Sequence, residues 1–369
     1  LGLGLAWAAW AGAASAPPAA GRAEDLVRQL GNASFQVREA AAAELLRLGM
    51  AAREELLRGK EDPDPEVRRR CARLLERIED ADMEARIDAF LADPRPEKAE
   101  GLPGVKRFRA RAGGDKGAMA LYVEMLRAHT RLLKQFERDP DSAGDRYAAL
   151  LGELYERYRA AGRRADAVTR ADVAAFLFLG ADERARDANV PIQHVYSGLS
   201  YPPLSASLRE TDAESRAMRR LLVGWAERQT NPSVINRVFT LASASNVKEI
   251  LPLAVRFVKD DSALGTTRAY ALLAVARYGA KEHLAAVEKL LDSPILLSQV
   301  NVNGRRGTTE LGDVALAVAA HLKGKDIHDY GFDMLRGNVL SFTSFSYLGF
   351  SDDAKRKAAR KKWADEAKR

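Results

Sequence analysis

The chain of 369 residues contains a single cysteine, Cys71, and aromatic residues make up only 7% of it. One thiol cannot form a disulfide within the chain, which excludes a disulfide-stabilised fold and leaves stability to packing. Much of the hydrophobic 47% is alanine, so we expect closely packed helices rather than one large globule. Cys71 falls in the middle of a predicted helix, where we expect it to be a small buried apolar residue.

Long apolar runs are absent after the first residues, and we therefore expect no transmembrane helix in the mature chain. The one early run, residues 1–13, is followed by the small residues Ala14-Ser15-Ala16, a form that signal peptidase accepts. The basic start of a signal is missing, so we expect the printed sequence to begin inside one. These features predict a signal peptide over 1–20 and export to the periplasm or cell envelope. An uncleaved anchor and an ordinary alanine-rich tail are the alternatives.

Motifs for catalysis or metal binding are also missing: there is no Gly-rich phosphate loop and no nucleophile elbow. The five histidines are His129, His194, His283, His321 and His328. None of them forms the i, i+4 pair of a helical zinc site. The nearest approach to a ligand cluster is at a predicted helix end, at His321, Asp326, His328 and Asp329. We interpret that group as helix capping and a solvated loop, and we predict no cofactor, no metal and no catalytic residue.

The charge balance is mildly basic, with a formal net charge of +7. Part of the excess lies in the last residues, where 351–369 predicts a well-capped helix with Trp363 in a narrow apolar stripe. We interpret it as a terminal capping helix, with weak contact to an anionic surface as the alternative. Nucleic acid is not an expected partner, because acidic residues follow the local patch Arg68–Arg70 directly and export separates the protein from DNA.

Two segments of the sequence repeat one plan at a spacing of 30: "NASFQVREAAAAELLRL" at 32–48 and "DPDPEVRRRCARLLERI" at 62–78. Ser34 aligns with Asp64, and both are residue types whose short side chains cap helix N-termini. Pro65 then takes the first helical position, where a missing N–H costs nothing. Each segment therefore predicts a capped amphipathic helix.

The arginine of this pattern recurs. Arg38 aligns with Arg68, and we expect each stem to lie along the helix flank while the charge stays in water. Arg268 repeats the spacing downstream, and residues 246–258 align with 279–291 at a period of 33. Units of 30 to 45 residues with two helices each are typical of an α-solenoid.

The segment "DPDPEVRRRCARLLERI" resembles a HEAT repeat, in which an Asp-Pro turn leads into a Val-Arg helix carrying a small residue and leucines. The match is good at 32–79 and fair at 231–292, although the second unit has Glu79 where the first has glycine. The whole layout is similar to exported bacterial HEAT-like proteins without assigned activity. That resemblance implies a protein-binding scaffold.

We therefore predict an all-α chain, an α-solenoid of HEAT-like antiparallel helix pairs with a helical middle section and one small β-hairpin. The hairpin is indicated by alternating valines around Asn303-Gly304, a pair that suits a type I′ turn. The predicted segments are a signal peptide at 1–20, HEAT-like repeats at 21–82, a linker at 83–105, a helical middle section at 106–229, HEAT-like repeats with the hairpin at 230–330, and a tail with the basic capping helix at 331–369.

Two interruptions of the helices are candidate partner-binding sites, because loops on a rigid scaffold often carry function. One is a predicted loop at 187–207 with Tyr196 and Tyr201, and the other is the hairpin with Arg305 and Arg306. Tyrosine and arginine are frequent interface anchors. The alternative is that the tyrosines fill a joint between helices and the arginines are merely solvated. These features predict a non-enzymatic scaffold or adaptor of the bacterial cell envelope that binds another protein. An exported hydrolase of unidentified site is the alternative.

Overall fold

The computed structural model describes residues 19–93, 99–186, 188–302, 304–335 and 344–367. It confirms the all-α fold class with one small hairpin, a two-stranded antiparallel sheet. The chain divides into two compact units between Leu102 and Pro103. Within the described ranges no helix is long and apolar enough to cross a membrane. The predicted signal peptide lies outside the described residues except for its last two positions.

The first unit contains two pairs of helices. They are α1 (Ala19–Gln29), α2 (Phe35–Leu48), α3 (Arg53–Gly59) and α4 (Pro65–Ala92). α1 packs on α2 and α3 on α4, while α1 also contacts α3 and α2 contacts α4. Successive pairs therefore stack in register, which is the packing expected when a unit of 30 residues repeats. The relation to HEAT repeats in particular stays a prediction.

The repeated arginine has a structural reason. Arg38 donates to the backbone carbonyls six and five positions earlier, at 2.6 and 3.0 Å, and Arg68 does the same at 2.7 and 2.8 Å. Each guanidinium thus ties the turn before its helix to the helix itself. The prediction of a solvated charge did not include these hydrogen bonds. Asp64 caps α4 through the Glu66 amide at 2.8 Å. Ser34 occupies the matching position without a side-chain bond, so the predicted cap forms in only one of the two units.

Cys71 is completely buried in the first unit, as predicted. Its sulfur faces Gly59, where an added Cβ would lie only 2.5 Å from Sγ. Burial raises the pKa of the Cys71 thiol to about 11. The group therefore stays a neutral thiol at physiological pH and acts as packing for the close approach of α3 and α4.

The predicted linker at 83–105 is wrong over its first part, because α4 continues to Ala92. Met83, Ile87 and Phe90 are all buried along this extension. Their spacing keeps one apolar face of a helix, so the apolar periodicity outweighs the charged residues between them.

The second unit begins with a helical section. Its helices are α5 (Val105–Ala112), α6 (Lys116–Arg138), α7 (Ala143–Ala160), α8 (Arg170–Gly180), α9 (Ile192–Gly198), α10 (Pro202–Arg209) and α11 (Ala213–Ala226). α8 is buried on every side and packs against α6, α7, α10 and α11. A helix that is apolar all round needs such a central place, and the other helices of this section lie around it.

The predicted loop at 187–207 is also wrong in large part, because it contains α9 and α10. Pro191 immediately precedes α9, and Pro202 is the first residue of α10. Proline is well tolerated at a helix start, where its fixed φ suits the first turn. These prolines begin helices rather than marking a long loop.

The rest of the second unit returns to paired helices around the hairpin. The elements are α12 (Pro232–Ala244), α13 (Leu251–Lys259), α14 (Gly265–Tyr278), α15 (Leu284–Glu288), β1 (Leu296–Val302), β2 (Arg305–Glu310), α16 (Leu311–Leu322) and α17 (Asp353–Ala367). α14 packs between α12 and α16, and α13 contacts α15. A short 3₁₀ turn precedes both α13 and α15, which matches the period of 33 in the sequence.

Candidate functional site

The hairpin is antiparallel, with Val302 opposite Arg305 and Asn301 opposite Arg306. The predicted turn residue Asn303 lies outside the described residues. Gly304 has a φ of 81°, which is the left-handed conformation that a type I′ turn requires and that glycine adopts without strain.

The two outer edges of this hairpin differ. On the β2 side, Thr308 exchanges two backbone hydrogen bonds with Phe350, at 3.0 and 3.1 Å. The backbone groups of Thr308 therefore point away from β1. Gln299 lies opposite Thr308, so its own N–H and C=O point away from β2, because opposite residues of an antiparallel pair either both bond inward or both face outward.

The outer edge of β1 is open. By the alternation of antiparallel pairing, Asn301 faces outward like Gln299, while Ser298, Val300 and Val302 bond to β2. Across the described part of the chain, no other backbone segment bonds to the outward groups of Gln299 and Asn301. Among the described residues, the edge of β1 thus presents donors and acceptors without a backbone partner.

Exposed apolar side chains cluster at the base of β1. Leu264, Ile295 and Leu296 are 57%, 42% and 52% exposed. Gly265 packs closely against Ile295, since a Cβ there would lie 2.5 Å from Ile295 Cγ2, and Leu264 and Leu296 are the chain neighbours of these two residues. We call Leu264, Ile295 and Leu296 the basal patch.

Positive charge lies at the other end of the hairpin. Arg305 and Arg306 are both exposed, and neither forms an ion pair with any residue that the structure describes. Most basic side chains of α17 differ in this respect. Lys355, for example, pairs with Asp333 at 2.6 Å, and Arg360 with Glu310 at 2.9 Å. The hairpin arginines can therefore pair with an external partner. The tail helix has fewer unpaired basic side chains with which to contact an anionic surface.

A buried ion pair anchors the base of the hairpin. Arg356 Nε donates to both carboxylate oxygens of Asp313, at 2.9 and 3.0 Å. Its Nη2 donates to the carbonyl and the hydroxyl of Thr308, at 3.1 and 2.8 Å. Both charged side chains are almost fully buried. This network joins α17, α16 and β2 into one rigid support.

The tail helix is held at a second point by Trp363, which is buried. The ammonium of Lys323 lies 4.3 Å from the centre of the Trp363 ring, and the ring of Tyr330 lies 5.9 Å away, centre to centre. α17 therefore covers the end of α16, as expected of a terminal capping helix. Residues 368 and 369 lie outside the described ranges.

The two candidate tyrosines are placed differently from the arginines. Tyr201 is only 1% exposed and meets the ring of Tyr158 edge-on at 5.0 Å. Burial raises the pKa of Tyr201. Tyr201 thus fills a joint between α7 and α10 and does not present itself to a partner. Tyr196, on α9, is half-buried.

A cluster that the sequence did not reveal lies between α6 and α8. α6 is kinked at His129, whose φ of −130° and ψ of 29° are not helical, and His129 Nε2 lies 3.0 Å from Asp172 Oδ1. Arg157 reaches the same carboxylate at 2.7 Å, and the Thr169 amide and hydroxyl donate to it at 2.8 and 2.9 Å. Burial opposes ionisation of Asp172, but these donors outweigh it and hold its pKa well below the usual range.

This cluster borders a cavity of about 440 Å³. Leu132, Gln135 and Glu153 also line it. Histidine is the side chain that most often serves as a general base, and here it lies beside a buried carboxylate. The one hydroxyl of the lining, that of Thr169, is already bound to Asp172, so the cavity offers a base without a free side-chain nucleophile. The capping box of Thr169 and Asp172 was readable in the sequence, but its contact with His129 was not.

Two other histidines lie in local turns. His283 Nδ1 accepts from the Ala280 amide at 3.1 Å, and the His328 amide donates to Asp326 at 2.9 Å. Among the residues that the structure describes, no three His, Cys, Asp or Glu side chains come together as a metal site would require.

A comparison with models of known protein families matched none of them. A comparison with curated proteins found no significant match.

Proposed function

We propose that this chain is a scaffold or adaptor that binds another protein, and that the partner docks on the hairpin. The observation that carries the proposal is the pair Arg305 and Arg306, which is exposed and free of ion pairs among the described residues. Charged groups with no internal counter-ion gain most from a complementary partner. The stacked helix pairs and the HEAT-like sequence pattern support a scaffold, since such repeats commonly serve as binding surfaces.

The buried pair of Asp313 and Arg356 supports this reading of the hairpin. It fixes β2 against α16 and α17, so the arginines project from a support that loses little entropy on binding. The predicted signal peptide over 1–20 supports the bacterial cell envelope as the location of the scaffold. We therefore propose an envelope protein as the partner.

The test is capture of an envelope partner by the purified protein. Changing both Arg305 and Arg306 to glutamine should weaken capture about tenfold, because roughly 1.4 kcal/mol of charge attraction is lost. The control changes Arg73 and Arg77 to glutamine, since both are exposed on α4 and the same charge is removed. The control should capture as the parent does. Equal capture by the hairpin variant would make the hairpin a mere connector, and a parent that captures nothing would refute the scaffold.

A second candidate function, an exported hydrolase, has one observation in its favour: His129 and Asp172 lie 3.0 Å apart beside a cavity. If His129 is a general base, the protein should turn over members of a panel of esters, glycosides and phosphates. His129→Asn should lower that rate by about a hundredfold or more, while His194→Asn should not. Absence of turnover by the parent, or turnover that survives in His129→Asn, removes this candidate.

A further inference from the structure

We propose that the partner binds by adding an extended, acidic segment to the outer edge of β1, as a third strand of the hairpin sheet. The inference rests on the proposed function, because it specifies the shape and charge of the partner at the same hairpin.

The backbone of β1 supplies the first argument. Gln299 and Asn301 direct their N–H and C=O groups away from β2, and the described chain covers neither. Unpaired edge groups of this kind form a template for another strand. On the opposite edge the chain pairs its own Phe350 with Thr308. Among the described residues, the β1 edge is therefore the one along which no other segment pairs.

The usual protection of an edge strand is missing from β1. Natural edges are commonly blocked by proline, by lysine or by a bulge along the strand. The sequence of Leu296–Val302 is "LLSQVNV", without a proline or a charged residue. Its one irregularity lies between Leu296 and Ser298, at the base. The stretch from Gln299 to Val302 is left regular and open.

The residues at the two ends of this edge indicate which kind of segment would bind along it. An added strand would lie about 10 Å from β2, a distance that an arginine and a glutamate side chain can span together. Arg305 and Arg306 therefore favour acidic residues beside the turn. The basal patch of Leu264, Ile295 and Leu296 favours apolar residues at the other end. The occupant is thus an extended segment of about seven residues, the length of β1, apolar near the base and acidic near the turn.

A second copy of this chain suits the edge less well. The edge strand of another copy is again Leu296–Val302, which carries no acidic side chain to meet the arginines. The charge of the site therefore favours a different protein.

Gln299→Pro tests the mode of binding. Proline removes the outward N–H of position 299, while the bonds to β2 run through Ser298 and Val300 and stay intact. Gln299→Thr is the matched control, because it changes the side chain and keeps the N–H. The probe is a labelled seven-residue peptide with valine in one half and glutamate in the other, compared with the same peptide carrying lysine in place of glutamate. Both variants are first compared with the parent by circular dichroism and thermal melting.

We expect the glutamate peptide to bind the parent at least tenfold more tightly than the lysine peptide. Gln299→Pro should weaken that binding at least tenfold, and Gln299→Thr should not. Hydrogen exchange of the Gln299 and Asn301 amides should slow when the peptide is bound. In capture experiments, Gln299→Pro should lose the partner as the arginine double variant does.

Other results would overturn strand addition. Binding of the glutamate peptide unchanged by Gln299→Pro would exclude it, and so would equal losses in both variants, which would point to the side chain. If the arginine double variant loses the partner while Gln299→Pro keeps it, strand addition fails and the proposed function stands. A parent that dimerises in light scattering, and becomes a monomer in Gln299→Pro, would make a second copy the occupant and refute the acidic partner.

Discussion

Arg356→Met is expected to lower the free energy of unfolding of the second unit by about 3–5 kcal/mol near pH 7, the range found when one partner of a buried ion pair is removed. Methionine keeps the helix propensity and much of the bulk of the arginine stem. The losses are the pair of bonds to Asp313, the two bonds to Thr308, and the ion pairs with Asp353 and Glu310. Asp313 would remain completely buried without its main counter-charge.

The pH dependence gives this prediction a second readout. Burial raises the pKa of Asp313 to about 6, and the charge of Arg356 opposes that rise. Without Arg356 the pKa rises further, so near neutral pH the folded state binds more protons than the unfolded state. Stability then falls as pH rises, and the deficit of Arg356→Met should be larger near pH 7 than near pH 5.

Urea unfolding followed by circular dichroism, with hydrogen exchange along α17, measures both effects. Arg164→Met is the control, because Arg164 pairs with Asp166 on the surface, where both side chains are about 70% exposed. Such a pair contributes at most about 1 kcal/mol. An Arg356→Met protein as stable as the control variant would show that the buried network does not hold α17 in place.

Gly117→Ala should destabilise the second unit by about 3 kcal/mol, the upper end of the usual cost of overpacking. A Cβ at Gly117 would lie 2.2 Å from Ala213 Cβ and 2.5 Å from the Ala213 carbonyl carbon. The second of these atoms is backbone and cannot swing aside. α6 and the start of α11 must therefore separate to admit one methyl group.

Gly152→Ala provides the matched comparison, with an effect of the opposite sign. Gly152 lies within α7, and nothing lies within 4 Å of a Cβ built there. The same substitution should stabilise the protein by about 0.5–1 kcal/mol, because alanine is the better helix former. Thermal and urea unfolding of the two variants side by side would settle the point. If Gly117→Ala proves as stable as Gly152→Ala, the two helices are not in the close contact described.

The local features of this fold were predictable because their causes are local. The turn signal at Asn303-Gly304 and the alternating valines predict the hairpin, and short-range periodicity predicts most helices. The same reasoning failed where one residue type has two uses. Proline in the segment 187–207 predicts a loop, yet Pro191 directly precedes α9 and Pro202 is the first residue of α10. Only the packing of the two helices distinguishes these uses.

The candidate site was predictable only in part. Arg305 and Arg306 were identified by residue type and turn position, and both are exposed. Tyr201 was identified by the same reasoning and is buried, because exposure depends on neighbours that are distant in sequence. Asp313 and Arg356 lie 43 positions apart, so neither residue predicts the other. The open edge of β1 likewise depends on where Phe350 pairs, which no local pattern encodes.

The arginines that tie each turn of the first unit have a consequence for how such a chain can grow. Arg38 and Arg68 find their acceptors within their own units, six and five positions earlier. A copy of 30 residues that begins before the turn therefore carries both the arginine and the carbonyls that it bonds. Duplication of such a unit keeps this tie intact, whereas an insertion between the turn and its arginine would break it.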